Sequence, residues 1–210
     1  MKLVELYKHE KLCQTIAFNE NAKVIYLRPP RTASTSMLRG FLELKVPGFH
    51  DFKRNPNIYN KWSKSLTENS LNKYLVITSV RNPYDRTISI LGNRKFPKLR
   101  INNLHDFLYS YNNLFINEHK HRMHIEPFSV LNFFKSEKQF DFEIRFETLQ
   151  EDHKELCKLL QIKHSDLPIL MSSNRDNYKK YYDAKLIKMV NKIYYNDFKF
   201  HNYKMVKRFD

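Results

Sequence analysis

The first run of apolar residues with sharp boundaries is Val24 to Leu27, which ends at Arg28 and the pair Pro29-Pro30. Met37, Leu38, Phe41 and Leu42 then recur at helical spacing, so a helix is predicted from about Thr35 to Leu44. Leu75 to Val80 is nearly all β-branched or aliphatic, as expected of a strand buried on both faces. Asn82 reads as an N-cap, Pro83 as the first helical residue and Asp85 as an acid in the first turn, with the helix running to about residue 92. Further on, Phe140, Phe142, Ile144 and Phe146 alternate with charged residues and predict a half-buried strand. Thr148 and Glu151 form a capping-box pattern before a helix carrying Leu156, Leu159 and Leu160. Asp183 opens a last helix whose apolar positions are Leu186, Ile187, Val190, Ile193, Tyr194 and Phe198.

Between these elements the pattern weakens. Residues 1–21 read as a lead-in segment, a short strand or an arm, and residues 45–72 as a long polar and aromatic connection containing His50, Pro47, Pro56 and Trp62. Long connections in compact domains are often functional. A further helix is predicted around Leu104 to Phe115 in an asparagine-rich, basic stretch. Strands alternating with helices predict an α/β fold with a central parallel sheet flanked by helices. At 210 residues the expectation is a single domain, with its core in residues 22–203.

Two strand-to-helix crossings carry the chemistry. In the first, Pro30-Arg31-Thr32-Ala33-Ser34-Thr35-Ser36 links strand to helix with a cation and several hydroxyls. Helix N-termini present N–H groups and a positive dipole end, which suits an anion. The chain has only three glycines, none in this loop, and the pattern G-x-x-x-x-G-K-S/T is absent. Taken alone, the stretch is equally a helix N-cap behind a proline turn. In the second crossing, Arg81 ends a strand and Ser89 follows two turns into the helix. Open α/β sheets bind ligands at such strand ends. Two basic crossings together suggest one ligand with two anionic groups.

The two motifs resemble those of the sulfotransferases that use 3′-phosphoadenosine 5′-phosphosulfate. The first resembles the 5′-phosphosulfate loop, P-K-x-G/A-x-T-S, and is most similar to that of the heparan sulfate 2-O-sulfotransferases within the carbohydrate group. Val80-Arg81-Asn82-Pro83-Tyr84-Asp85-Arg86 through Ser89 resembles the 3′-phosphate motif, V-R-N/D-P-x-x-R-x-x-S. Leu167 to Tyr182, with Ser173, Arg175 and Tyr178, resembles the late loop that closes over the nucleotide. The resemblance spans residues 22–203, with its specific motifs in the first half.

The resemblance implies a P-loop-like fold and the phosphosulfate nucleotide as donor, without a metal. It implies nucleotide contacts from Arg31, Thr32, Ala33, Ser34, Thr35, Ser36, Arg81, Ser89, Ser173, Arg175 and Tyr178. The acceptor it implies is a hydroxyl, of an acidic or neutral glycan. His50 is the chosen general base, because a histidine or glutamate before the second motif has that role in related enzymes and imidazole titrates near neutrality. A surface histidine is the plainer reading, and Asp51 is placed to orient the ring or replace it. Arg31 stands where the family usually has lysine. It keeps the charge and offers a planar fork for an anion, but it cannot donate a proton at ordinary pH.

Composition adds bounds. There are 37 Lys and Arg against 22 Asp and Glu, a formal charge of +15 that favours acidic partners. No block of five or six consecutive basic residues marks a nucleic-acid tail. Cys13 and Cys157 do not make a disulfide framework, and Cys157 reads as a buried thiol. His119, His121 and His124 do not share one helix face, so a metal site is not expected there. With no apolar run long enough for a signal peptide or membrane anchor and no Asn-x-Ser/Thr sequon, a cytoplasmic or otherwise soluble protein is expected. Two alternatives stay open: a kinase-like nucleotide enzyme, disfavoured by the missing Gly-Lys signature and magnesium-binding aspartate, and a binding protein that has lost turnover.

Overall fold

The computed structural model describes residues 16–51, 54–91, 104–109, 140–168, 170 and 176–209. The chain divides into two compact units, one from Met1–Val80 with Asn132–Met171 and the other from Arg81–Leu131 with Ser172–Asp210.

The first unit is built on a five-stranded sheet of order β3-β1-β2-β4-β5. The strands are β1 (Ile16–Asn19), β2 (Val24–Leu27), β3 (His50–Asp51), β4 (Leu75–Val80) and β5 (Phe142–Arg145). β2, β4 and β5 are parallel, with Tyr26 opposite Ile77 and Ser79 opposite Ile144. The sheet is mixed rather than wholly parallel, because β1 pairs antiparallel with both β2 and β3. β1 comes from the predicted lead-in arm. Its hairpin to β2 is set by Asn19, whose Oδ1 accepts from Ala22 N at 2.9 Å, and by Lys23 at φ 53°. Asn19 Nδ2 also donates to the Pro47 carbonyl at 2.8 Å, tying the approach to β3 onto the same turn.

Both faces of the sheet are covered, as parallel strands require. One face presents Ala17, Val24, Tyr26, Ile77 and Ile144. Against it pack Met37, Leu38, Phe41 and Leu42 of the helix after the first loop, and Leu156 and Cys157 of α7 (Leu149–Leu159). That first helix begins as α1 (Ser34–Met37), widens into a π-helical stretch (Leu38–Leu42) and finishes as α2 (Glu43–Lys45). On the other face Phe18 stacks on Trp62 of α3 (Pro56–Ser65), ring centroids 3.9 Å apart. Trp62 Nε1 donates to the Tyr74 hydroxyl at 3.1 Å. The long connection therefore holds α3 and α4 (Glu68–Leu71). Pro56 behind Asn55, with Tyr59, Trp62 and Leu66 at helical spacing, was the signal for α3.

The capping box predicted at Thr148 does not form. Thr148 is the N-cap of α7, but its hydroxyl donates to Asp152 Oδ2 at 2.9 Å. The same carboxylate oxygen accepts from Arg145 N at 2.7 Å, so Asp152 links α7 to β5 in place of Glu151.

The second unit is a helical cluster of α5 (Pro83–Leu91), α6 (Leu104–Tyr109), a 3-10 turn (Tyr178–Tyr181), α8 (Ala184–Ile193) and α9 (Tyr195–Phe200). Its core joins Tyr84, Ile88, Leu104, Leu108, Leu186, Ile187, Val190, Tyr194 and Phe198. Asn82 caps α5 by accepting from Tyr84 N at 3.0 Å, and Asp183 caps α8 by accepting from Leu186 N at 2.8 Å, as the sequence predicted. The predicted last helix is two, with Tyr194 between them. Arg86 is fully buried, 3.9 Å from Asp197 and 5.7 Å from the centre of the Tyr194 ring.

Two consequences are testable. A Cβ added at Gly40 would lie 2.6 Å from Pro168 Cγ, closer than packed carbons approach. Gly40→Ala is therefore expected to destabilise by about 1–3 kcal/mol in urea melts, despite alanine's better helix propensity. His153 is fully buried on α7, edge-on to Phe41 at 4.2 Å, and its Nδ1 has no hydrogen-bond partner among the described residues. Burial, with His164 nearby, holds its pKa below the usual imidazole value. The unfolded chain then takes up this proton first, so stability falls as pH drops from about 6.5 towards the lowered pKa. Melts of wild type and His153→Leu across that window should show the smaller acid loss in the variant.

Candidate active site

The first loop runs from Arg28 to Ala33 between β2 and α1. Two of its residues are left-handed, Arg31 at φ 72° and Ala33 at φ 58°. Side chains disfavour this region by about 1 kcal/mol or more each, which is why such loops favour glycine. Here the conformation is enforced between them. The Thr32 hydroxyl, fully buried, donates to the Pro29 carbonyl at 2.7 Å and lies 2.7 Å from Ser79 Oγ on β4. Ser79 Oγ lies in turn 2.9 Å from the Tyr26 hydroxyl on β2. Burial pushes the Tyr26 phenol far up, so it remains a proton donor.

The loop hydroxyls therefore differ in what they offer. Thr32, expected among the ligand contacts, turns its side chain into the protein. Ser36 is buried, and its Oγ accepts from Leu170 N at 3.0 Å. Ser34 and Thr35 are part-exposed in the first helical turn, as are Arg31 and Ala33 just before it. A basic group that sequence reasoning passed over starts the loop: Arg28, mostly buried, with Nη1 3.7 Å from Asp51 Oδ2. Its Nε is buried without a hydrogen-bond partner among the described residues. Its place directly after a buried strand was the available signal.

Asp51 does not orient His50. Its carboxylate accepts from Arg54 N at 2.9 Å and Arg54 Nε at 2.8 Å, and Arg54 Nη2 also reaches Glu43 at 2.5 Å. Burial pushes the Asp51 carboxyl up, but the bonds and charge of Arg54, with Arg28 beside it, bring it net below the usual value. His50, one residue earlier on β3, points to the opposite face. Its ring lies 5.7 Å from Phe18, and Nδ1 is 3.3 Å from Asn55 Oδ1. Neither partner belongs to the loop. With the amide oxygen accepting, Nδ1 carries the proton and Nε2 the lone pair.

In the second unit the motif residues Arg81 and Ser89 come together. Arg81 follows β4 directly and is buried; its Nε donates to Asp85 Oδ2 at 2.7 Å and its Nη1 to Ser89 Oγ at 3.2 Å. Asp85, read from sequence as a first-turn acid, also fixes the guanidinium. Tyr178 lies in the 3-10 turn, packed against Phe209 at 5.7 Å. Ser173, Arg175 and the histidines 119, 121 and 124 lie outside the described residues. Among the described residues no cluster of His, Cys, Asp and Glu could hold a metal ion, and no helix is long and apolar enough to cross a membrane.

The left-handed Ala33 gives a direct test. Ala33→Val, whose branched side chain tolerates positive φ least, should cost about 1–2 kcal/mol in urea unfolding. Ala33→Gly should match or exceed wild-type stability. Equal stability for the valine variant would show that the loop does not hold this backbone.

No curated protein and no solved structure matches the chain significantly. The family model described as the sulfotransferase family matches residues 14–204, which include the first loop, Arg81 to Ser89 and both caps of the terminal helices. The chain belongs to the sulfotransferase family, and sulfuryl transfer is its class of reaction.

Proposed function

We propose that the protein moves the sulfuryl group of 3′-phosphoadenosine 5′-phosphosulfate to a hydroxyl of a carbohydrate acceptor. The observation that carries the donor assignment is Arg81, braced by Asp85 and bonded to Ser89 in a motif of the 3′-phosphate type. A guanidinium held in this way is ordered before any anion arrives, which favours a dianionic phosphate. That phosphate is what separates this donor from ATP.

In this reading Arg31, the N–H groups of Ala33 to Ser36 and the hydroxyls of Ser34 and Thr35 hold the 5′ end. The bond from sulfur to the bridging phosphate oxygen breaks, and charge builds on that oxygen. Arg31 stabilises it as a fixed cation, not as an acid, because guanidinium keeps its proton. A bond forms from the acceptor oxygen to sulfur, and the acceptor proton passes to Nε2 of His50. Positioning and electrostatics supply most of the rate enhancement in such displacements. The formal charge of +15 supports an acidic glycan as acceptor.

Calorimetry should find 3′-phosphoadenosine 5′-phosphate bound at least about tenfold more tightly than ATP, a difference of one charge-assisted contact set. Equal or tighter ATP binding would favour the kinase-like alternative. Transfer of labelled sulfur should be detectable over a glycan panel. His50→Ala should lower kcat by about a hundredfold or more with nucleotide affinity retained, the usual weight of a general base. Unchanged turnover would remove His50 from the mechanism, and nucleotide binding without any transfer would leave a binding protein.

A further inference from the structure

We propose that Ser79, near the carboxyl end of β4, is a positioning residue for the anion loop, through a hydrogen-bond chain whose direction is fixed. The chain joins the Tyr26 hydroxyl, Ser79 Oγ, Thr32 Oγ1 and the Pro29 carbonyl, with separations of 2.9, 2.7 and 2.7 Å. All three hydroxyl-bearing residues are buried, so water does not compete for these bonds. Each hydroxyl has one proton, and the carbonyl can only accept. Thr32 must therefore give its proton to Pro29. Ser79 must then donate to Thr32, which has no second proton. Tyr26 must donate to Ser79 for the same reason. The polarity runs one way, from the sheet interior to the loop.

That polarity gives each residue a different weight. Thr32 sits between the two left-handed residues, and Ser79 holds it from the strand side. Ser79→Ala removes the donor that fixes Thr32 and strands the Tyr26 hydroxyl as a buried donor with no acceptor. A stranded buried donor is costly, whereas an acceptor that keeps one partner is not. Tyr26→Phe removes only one donor to Ser79, which still points its own proton at Thr32. The double variant Ser79→Ala with Tyr26→Phe removes the stranded donor and should recover part of the loss. A chain running the other way would give no such recovery.

The inference rests on the loop binding the donor's 5′ end, so the test uses two probes. Calorimetry with 3′-phosphoadenosine 5′-phosphate and with inorganic pyrophosphate is run on wild type, Ser79→Ala, Tyr26→Phe, the double variant, Thr32→Val and Thr32→Ser. Ser79→Ala and Thr32→Val should weaken both probes about tenfold, from one lost buried bond and a misplaced loop. Tyr26→Phe should weaken them less than about threefold, and Thr32→Ser should restore near wild-type affinity. Donor KM should rise more than kcat falls. Unfolding in urea should show the same partial rescue in the double variant. Melting shifts with unchanged affinity for either probe would overturn the positioning role, and Tyr26→Phe as damaging as Ser79→Ala would overturn the polarity. Wild type that binds pyrophosphate but not the bisphosphate would sink the donor reading while the pyrophosphate series still decides this one. Binding of neither probe would sink both.

Discussion

The arrangement of the first loop depends on one buried hydroxyl. Thr32 is hydrogen-bonded to Pro29 behind it and to Ser79 beside it, and the residues on either side of it are left-handed. A phosphate loop built from glycines reaches such a conformation at little steric cost. This loop lacks glycine and reaches it through side-chain bonds to the sheet. Its shape is thus a tertiary property: β2 and β4 must already be paired, Tyr26 beside Ile77, before the loop is defined. The cost of positive φ is offset by contacts that exist only in the folded unit.

Charge is handled in a similar way. The chain carries a large surplus of basic residues, yet the buried arginines of the second motif face carboxylates: Arg81 faces Asp85 and Arg86 faces Asp197. Burying a guanidinium without a counter-charge is prohibitive, so these acids are a condition of having arginines inside. The partner also holds the fork still. Arg81, bonded through Nε to Asp85 and through Nη1 to Ser89, is oriented by the fold and not by a ligand. The surplus positive charge lies instead on exposed lysines such as Lys188 and Lys192.

Much of this was legible in the chain, and the limits have physical causes. Both strand-to-helix crossings could be read because an apolar run meets a helical period at each, and Asn82-Pro83 and Asp183 are local capping signals that need no tertiary context. The first strand could be read only as a lead-in strand or arm without bounds, because Ile16–Asn19 is too short to show a period and is defined by its neighbours in the sheet. The capping box failed because Asp152, one residue beyond Glu151, also reaches the backbone of β5, a contact outside the four-residue capping pattern and set by how strand and helix fold together. The inward turn of Thr32 and Ser36 was illegible for the same reason: Ser79 and Leu170 are 47 and 134 residues away.

The π-helical stretch at Leu38–Leu42 has a consequence for how this helix can vary. A π turn accommodates one residue more than the α turn it replaces, so it absorbs that residue without turning the two ends of the helix against each other. Upstream, the phase is set by Ser36 against Leu170; downstream, by Phe41 and Leu42 against the sheet. Removing that one residue would let the turn close to α with both ends still in phase, whereas removing a second would turn one end against the other by about 100°, a single α-helical step. Either the loop's exit or the hydrophobic seam would then lose its alignment. The stretch can vary in side chain within the space Pro168 leaves at Gly40, and in length by the one residue its π turn holds.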